Sequence, residues 1–423
     1  MKIRKSVSFF AAAAMIFLWG CENRIEHNPE EILVTVNTDN WLTGNQGFVI
    51  VENRESVVIY SELTKGQEAV LRRGERMAGD RVNIHLLNIL KDPFDEVLSW
   101  TLYSYYGALP GKNVDLYYVF NPGTMTVQNL KLVGNITFTD VPAFDLVTRS
   151  ANNPGHSHTL NTLQVPCAMP GHDTYHSGRY FYICLQHGDN AGYKLVPIPD
   201  ESLAEYEISL SGLNNDMSGY VISKDPLNQT DIDIMAHGSA GSIEIFALHD
   251  QTLFADNSIK VFVPDNIPQM SSFSTTYVRN HTIDQMQTSL YRSGTVTSDF
   301  SYLDAGLEIN HISGSMPSIS HNSDGFSHLY TAIDFTGNIG SWNIIHPDAG
   351  SLSLPEMPAD VLNAVSPGFK LSDQLSAIMS IRVTAIEDSR FQDYDDAVDQ
   401  ILDPESFPEG NYFRLTDRKL LRP

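Results

Sequence analysis

TDIDIMAHGSAGSIEIF, residues 230–246, decides the fold class. Ile232 and Ile234 alternate with Asp231 and Asp233, and Ile243 and Ile245 flank Glu244. A period of two sends successive side chains to opposite faces of an extended strand, whereas a helix brings together residues three and four apart. Both halves therefore read as strands with one buried face. Gly238-Ser239-Ala240-Gly241-Ser242 between them is a turn. It is not a G-x-S-x-G elbow, and it lacks the strand-to-helix setting that exposes a nucleophilic serine.

The same signal recurs outward in both directions. Ile32–Val36, Gly47–Val51, Ser56–Tyr60, Arg81–Leu86 and Ser258–Val263 all read as strands. RVNIHL at 81–86 has the alternation of a half-buried strand, and Glu52-Asn53-Arg54-Glu55 reads as a hairpin turn. Helical signals are few. Ala397, Val398, Ile401 and Leu402 share one face of a helix over Tyr394–Leu402, with Asp395 and Asp396 at its N-terminal end and Pro404 beyond it. Met357–Val365 is a second short candidate.

Many short strands with frequent turn signals predict an all-β protein of tandem β-sandwich domains. A chain of 423 residues is too long for one ordinary domain. The punctuation predicts sandwich units over 31–142 and 143–263, then a β-rich unit over 264–423 with its helix at 394–402. The strand–turn–strand opening of the first unit resembles Ig-like or transthyretin-like sandwiches, a likeness that implies fold and no function.

The N-terminus predicts an address. Lys2, Arg4 and Lys5 precede an apolar run from Val7 to Leu18. That run is shorter than the roughly 20 residues of a membrane span, and the layout is that of a signal peptide over 1–20. Leu18-Trp19-Gly20-Cys21 resembles the lipobox of bacterial lipoproteins, with Trp19 where that pattern usually has a small residue. The resemblance implies cleavage before Cys21 and acylation of Cys21. One acyl chain alone holds a protein only marginally at about 0.8 kcal/mol per buried methylene, so several chains make the anchor. An ordinary signal peptide with an incidental cysteine is the alternative. The polar segment 21–30 reads as a tether. Lipobox, acidic tether and tandem β units together are similar to the cell-surface lipoproteins of Bacteroidota, which places the expected address in the cell envelope at the outer membrane.

Charge narrows the partners. The net charge is −24, and removal of the leader takes away three positive charges and no acidic ones. Such a surface repels nucleic acid, so no nucleic-acid partner is expected. Glycans and proteins remain, together with the membrane reached through the anchor. Setting Cys21 aside leaves Cys167 and Cys184, which an oxidising envelope can join in a disulfide. Two buried free thiols, or two metal ligands, are the alternatives.

Five of the 14 histidines fall between Asn152 and Gly188: His156, His158, His172, His176 and His187. Imidazoles suit zinc or copper. No HExxH or CxxC spacing is present, and a Gly/Pro-rich loop pinned by the disulfide is the favoured reading. Asp388, Asp393, Asp395, Asp396 and Asp399 offer oxygens for calcium but lack the glycine and distal glutamate of an EF-hand loop. No cofactor is expected. A glycosidase pair stays open, because carboxylate separation decides that mechanism.

Aromatic residues give the other lead. Tyr103 and Tyr105 share one strand face in LYSYYG, with Tyr106 beside them. Tyr117, Tyr118 and Phe120 lie in LYYVF, and Trp41, Trp100 and Trp342 add indoles. Such rings stack on sugars and peptides when exposed and fill sandwich cores when buried. The expected function is a lipid-anchored envelope or cell-surface binding or structural module. Its rivals are a glycan or peptide hydrolase, metal-dependent through 156–187, and a structural subunit of a surface assembly.

Overall fold

The computed structural model describes residues 28–422 except 40–44, 75–76, 78, 117–132, 150–154, 158–163, 168–179, 198–202, 224–228, 239–240, 249–256, 269, 282–285, 297, 299–302, 304, 323–324, 337–339, 348–349 and 404–411. It is all-β, and among the described residues the helices are short. Each strand expected from sequence is present, most of them longer than expected: RVNIHL belongs to Val82–Lys91, and the opening hairpin is Gln229–Gly238 with Gly241–Leu248. Gly238 pairs with Gly241, so the two strands form a hairpin.

Twelve strands form one sheet. Its order is Gly241–Leu248, Gln229–Gly238, Met270–His281, Met286–Gly294, Phe413–Leu421, Ile378–Asp388, His328–Phe335, Gly340–His346, Val97–Ala108, Val82–Lys91, Asn45–Glu52 and Val58–Leu63. Every neighbour pair is antiparallel except one. Gly340–His346 lies parallel to Val97–Ala108, and this joint unites the N-terminal strands with the C-terminal ones. Strand pairing therefore crosses the expected unit boundaries. Met270–His281 pairs with Gln229–Gly238 across the boundary expected between 263 and 264.

Smaller sheets pack on the large one and on each other. Ile32–Asn37, between Ala69–Arg72 and Lys112–Asp115, adds Leu33, Val34, Leu71 and Val114 to a core with Val49, Val51, Ile84 and Tyr105. The helix Tyr394–Leu402 closes that core with Val398 and Leu402. Asp393 caps it by accepting from the amides of Asp395 and Asp396 at 2.9 and 3.1 Å. A separate sandwich encloses Phe138, Val147, Ile183, Leu185 and Ile208. The second helix is Ala359–Val365, on the opposite face of the large sheet.

Burial on both faces changes the reading of RVNIHL. The alternation predicts one wet face, yet Ile84, His85, Leu86 and Leu87 are all buried. The first small sheet covers one side of this strand, and the Trp100–Trp342 core covers the other. His85 is thus enclosed and needs polar partners. Ser104 Oγ lies 2.8 Å from His85 Nδ1 and accepts from Trp342 Nε1 at 2.8 Å. Glu52 Oε1 lies 3.3 Å from His85 Nε2, too misaligned for a good hydrogen bond. Glu52 also accepts from Asn83 Nδ2 at 2.9 Å and from the Glu356 amide at 2.7 Å.

Gly340 opens its strand where Trp100 lies flat on the backbone. A Cβ there would sit 2.2 Å from the indole, so only glycine fits.

Candidate functional site

The Glu52–His85–Ser104 series has the residue types of a hydrolytic triad, and the sequence reading missed it. Its parts sit on three adjacent strands, 33 and 52 positions from Glu52 to His85 and Ser104 in no familiar motif, so only strand pairing brings them together. His85, Ser104 and Trp342 are 0% exposed. A substrate would have to displace Trp342 to reach the hydroxyl. The arrangement ties three strands and the 352–356 segment together, and it has no room for a reacting group. Burial pushes the Glu52 carboxyl up, but the adjacent His85 ring and hydrogen bonds from Asn83 and the Glu356 amide hold it below its ordinary value.

The accessible feature lies on the other face. A cavity of ≈190 Å³ opens where the Tyr394–Leu402 helix stops covering the large sheet. Tyr103 and Tyr330 belong to its wall, with Ile345 and Ile386 from the sheet and Gln400 and Ile401 from the helix. His328, Asp388, Arg390, Phe391 and Arg414 complete it. Tyr103 is brought here by the parallel joint, which sets Asn343 beside it. Tyr330 donates to Asn343 Oδ1 at 2.5 Å, fixing the ring.

Arg390 is locked in place. Its Nε and Nη2 reach the two oxygens of Asp388 at 2.9 and 2.5 Å. Its guanidinium carbon stands 3.9 Å from the Tyr412 ring centre and 5.3 Å from that of Phe391. Bidentate pairing plus stacking pre-organises the fork. Burial pulls the His328 imidazole down to about 4, so the ring is neutral at physiological pH. Burial pushes the Tyr330 phenol up to about 12, so it stays a hydrogen-bond donor. The wall therefore offers the rings of Tyr103, Tyr330 and Phe391, a neutral imidazole, two arginines and the Asp388 carboxylate.

The other expected residues fare differently. Tyr105, Trp100 and Trp342 are core, and Tyr106 donates to the Ser353 carbonyl at 2.5 Å. Trp41, Tyr117, Tyr118 and Phe120 lie outside the described residues. So do Cys21, His158, His172 and His176, while His156 and Cys167 are placed in strands with only their backbones described. His187 is exposed, 3.2 Å from Asp145. Among the described residues no group of three or more His, Cys, Asp or Glu side chains is arranged to hold a metal.

Cys184 carries a free, buried thiol, so the expected Cys167–Cys184 disulfide is not formed here. The two cysteines belong to different sheets: Cys184 pairs with Thr148 and Tyr193, Cys167 with Val133. The Cys184 sulfur lies 3.9 Å from the Met217 sulfur, and burial pushes its thiol up to about 12. Such a thiol packs as an apolar group and is a poor nucleophile.

The aspartates near the C-terminus are each committed. Asp388 holds Arg390, and Asp393 caps the helix. Asp395 pairs with Arg81 at 2.8 Å and Asp399 with Lys112 at 2.6 Å, while Asp396 accepts from the Gln392 amide. His237, next to the opening turn, has both ring nitrogens on hydroxyls, Ser242 at 2.8 Å and Ser274 at 2.7 Å.

No protein-family model matches the chain, and no curated protein matches it. Among solved structures, it is aligned with a tetra-tandem repeat in the extending region of a large adhesion protein. The identity is 10%, the alignment covers 84% of this chain and 94% of that one, and the TM-score is 0.13. A score this low carries no argument about fold or function. The protein is defined here by its own architecture, an all-β chain built on a twelve-stranded sheet.

Proposed function

We propose that this protein is a lipid-anchored module of the bacterial cell envelope that binds a glycan at the Tyr103–Tyr330 cleft. The cleft carries the reading: aromatic rings beside hydrogen-bonding groups on one face of the large sheet. Its ≈190 Å³ is below the roughly 300–1,000 Å³ of pockets for drug-sized ligands, and suits a single sugar ring. The lipobox supports the anchor, and the acidic tether after Cys21 supports display away from the bilayer.

The test is glycan-array binding with the full chain and Tyr103→Ala and Tyr330→Ala variants. Each ring is expected to contribute about 1–3 kcal/mol of stacking, by analogy with planar ligands on aromatic platforms, so each variant should bind about tenfold or more weakly. Unchanged binding in both would place the ligand elsewhere. The anchor is tested separately: Cys21→Ser should release the protein from the membrane fraction, and retention there would refute acylation at Cys21.

A further inference from the structure

Arg382 and Arg418 stand together on the sheet face that carries the cleft, and Arg414 in the cleft wall lies four residues from Arg418 along the same strand, about 13 Å at 3.3 Å per residue. Arg414, Arg418 and Arg382 lie on one face of two adjacent strands, with Arg418 opposite Thr384 and Arg382 opposite Leu420. Arg382 and Arg418 are thus diagonal neighbours, about 7–8 Å apart at their backbones. The chain has 27 basic residues against 51 acidic ones, so three arginines on one sheet face run against its composition, and Asp388, which stands opposite Arg414, is bound to Arg390. No ion pair to any of them forms among the described residues. Arg418 reaches only Gln287, at 3.4 Å, and Arg382 Nε is buried with no hydrogen-bond partner. The nearby acids are used elsewhere: Asp388 by Arg390, and Asp334 by Ser380 at 2.7 Å. Like charges placed together and left uncompensated raise the energy of the free protein. An anion that fits between them removes that cost on binding.

Resting on the glycan reading of the cleft, we infer that its ligand is a carboxylate-bearing sugar, a uronic-acid polysaccharide whose ring enters the cleft and whose carboxylates meet Arg414, Arg382 and Arg418. Arginine forks match carboxylates in two-pronged geometry. Thr384, Thr416 and Gln287 stand on the same face and can serve ring hydroxyls. An extended acidic peptide would also meet arginines, but it brings no sugar ring to stack on the tyrosines of the cleft. The arginine strip lies in the interior of the sheet, with both flanking strands already paired. Nucleic acid is opposed by the net charge of −24.

The experiment is calorimetric titration of the full chain in detergent with oligogalacturonate, oligomannuronate and oligoglucuronate. Methyl-esterified oligogalacturonate and poly-glutamate serve as comparisons. At least one uronate should bind, and its affinity should fall about tenfold or more in both Arg414→Gln and the Arg382→Gln/Arg418→Gln variant, with thermal midpoints unchanged. Esterification should weaken galacturonate similarly if that is the uronate bound. Full affinity in the arginine variants, or equal binding of ester and acid, would overturn the anionic ligand while leaving the cleft reading intact. Equally tight poly-glutamate would overturn the sugar class. If none of the uronates binds the inference fails, and if Tyr330→Ala is also silent on every glycan, the cleft reading fails with it.

Discussion

Trp342→Ala should destabilise the protein by about 3–5 kcal/mol. The indole is 0% exposed and lies on Gly340–His346, the strand that makes the parallel joint of the large sheet. Its removal leaves a large void in the core and strips Ser104 Oγ of its donor at 2.8 Å. Domains are stable by only about 5–15 kcal/mol, so the loss is a large share of the whole. Urea unfolding followed by circular dichroism measures it as a drop in midpoint at constant slope. Trp342→Phe retains most of the volume and loses the donor, and should cost markedly less. A loss near zero for the alanine variant would show that the joint is not packed as described.

Glu52→Ala should cost a comparable amount, about 3–5 kcal/mol, through a different cause. The carboxylate is 5% exposed and accepts from Asn83 and from the Glu356 amide, with the His85 ring beside it. Alanine leaves those donors buried without an acceptor, and the desolvation already spent on them is not recovered. Glu52→Gln keeps an acceptor oxygen and should cost less. The sign of the pH dependence follows from the lowered carboxyl. The folded state holds Glu52 ionised more readily than the unfolded chain does, so its contribution is complete above the ordinary carboxylate range. It is lost as pH falls from that range through the lower folded value. Stability of the natural protein should therefore drop more steeply in acid than that of Glu52→Gln. Parallel acid profiles would show that the carboxylate is not held in this way.

These two expectations rest on residues whose importance was hidden in the sequence. His85 sits in RVNIHL, where alternation points it to a wet face. The pattern identifies the strand correctly and misplaces the histidine, because a period of two reports which residues share a face and not what covers that face. Glu244 shows the same limit. It occupies the polar position of SIEIF, yet it is 3% exposed, and burial together with the neighbouring Asp233 pushes its carboxyl up to about 8. Tyr103 is the converse case. Its pairing with Tyr105 on one strand face was legible, but which of the two lines a cleft and which fills a core depends on where the Tyr394–Leu402 helix ends. Nothing marks Tyr330, Arg390 or Arg414 as neighbours, since they are 60 and 84 positions from Tyr330 along the chain and meet only through sheet order.

By itself the sequence determined the local elements. Alternation, turn residues and the acidic start at Asp395 and Asp396 fixed strands, hairpins and the C-terminal helix, because those depend on interactions within a few residues. Only the tertiary structure decided the rest. Pairing Gly340–His346 with Val97–Ala108 joined strands some 240 residues apart into one sheet, set Ser104 against Trp342, and brought Tyr103 to Tyr330. Strand pairing at that separation is chosen by the burial and hydrogen bonding of the whole sheet, which no short stretch encodes.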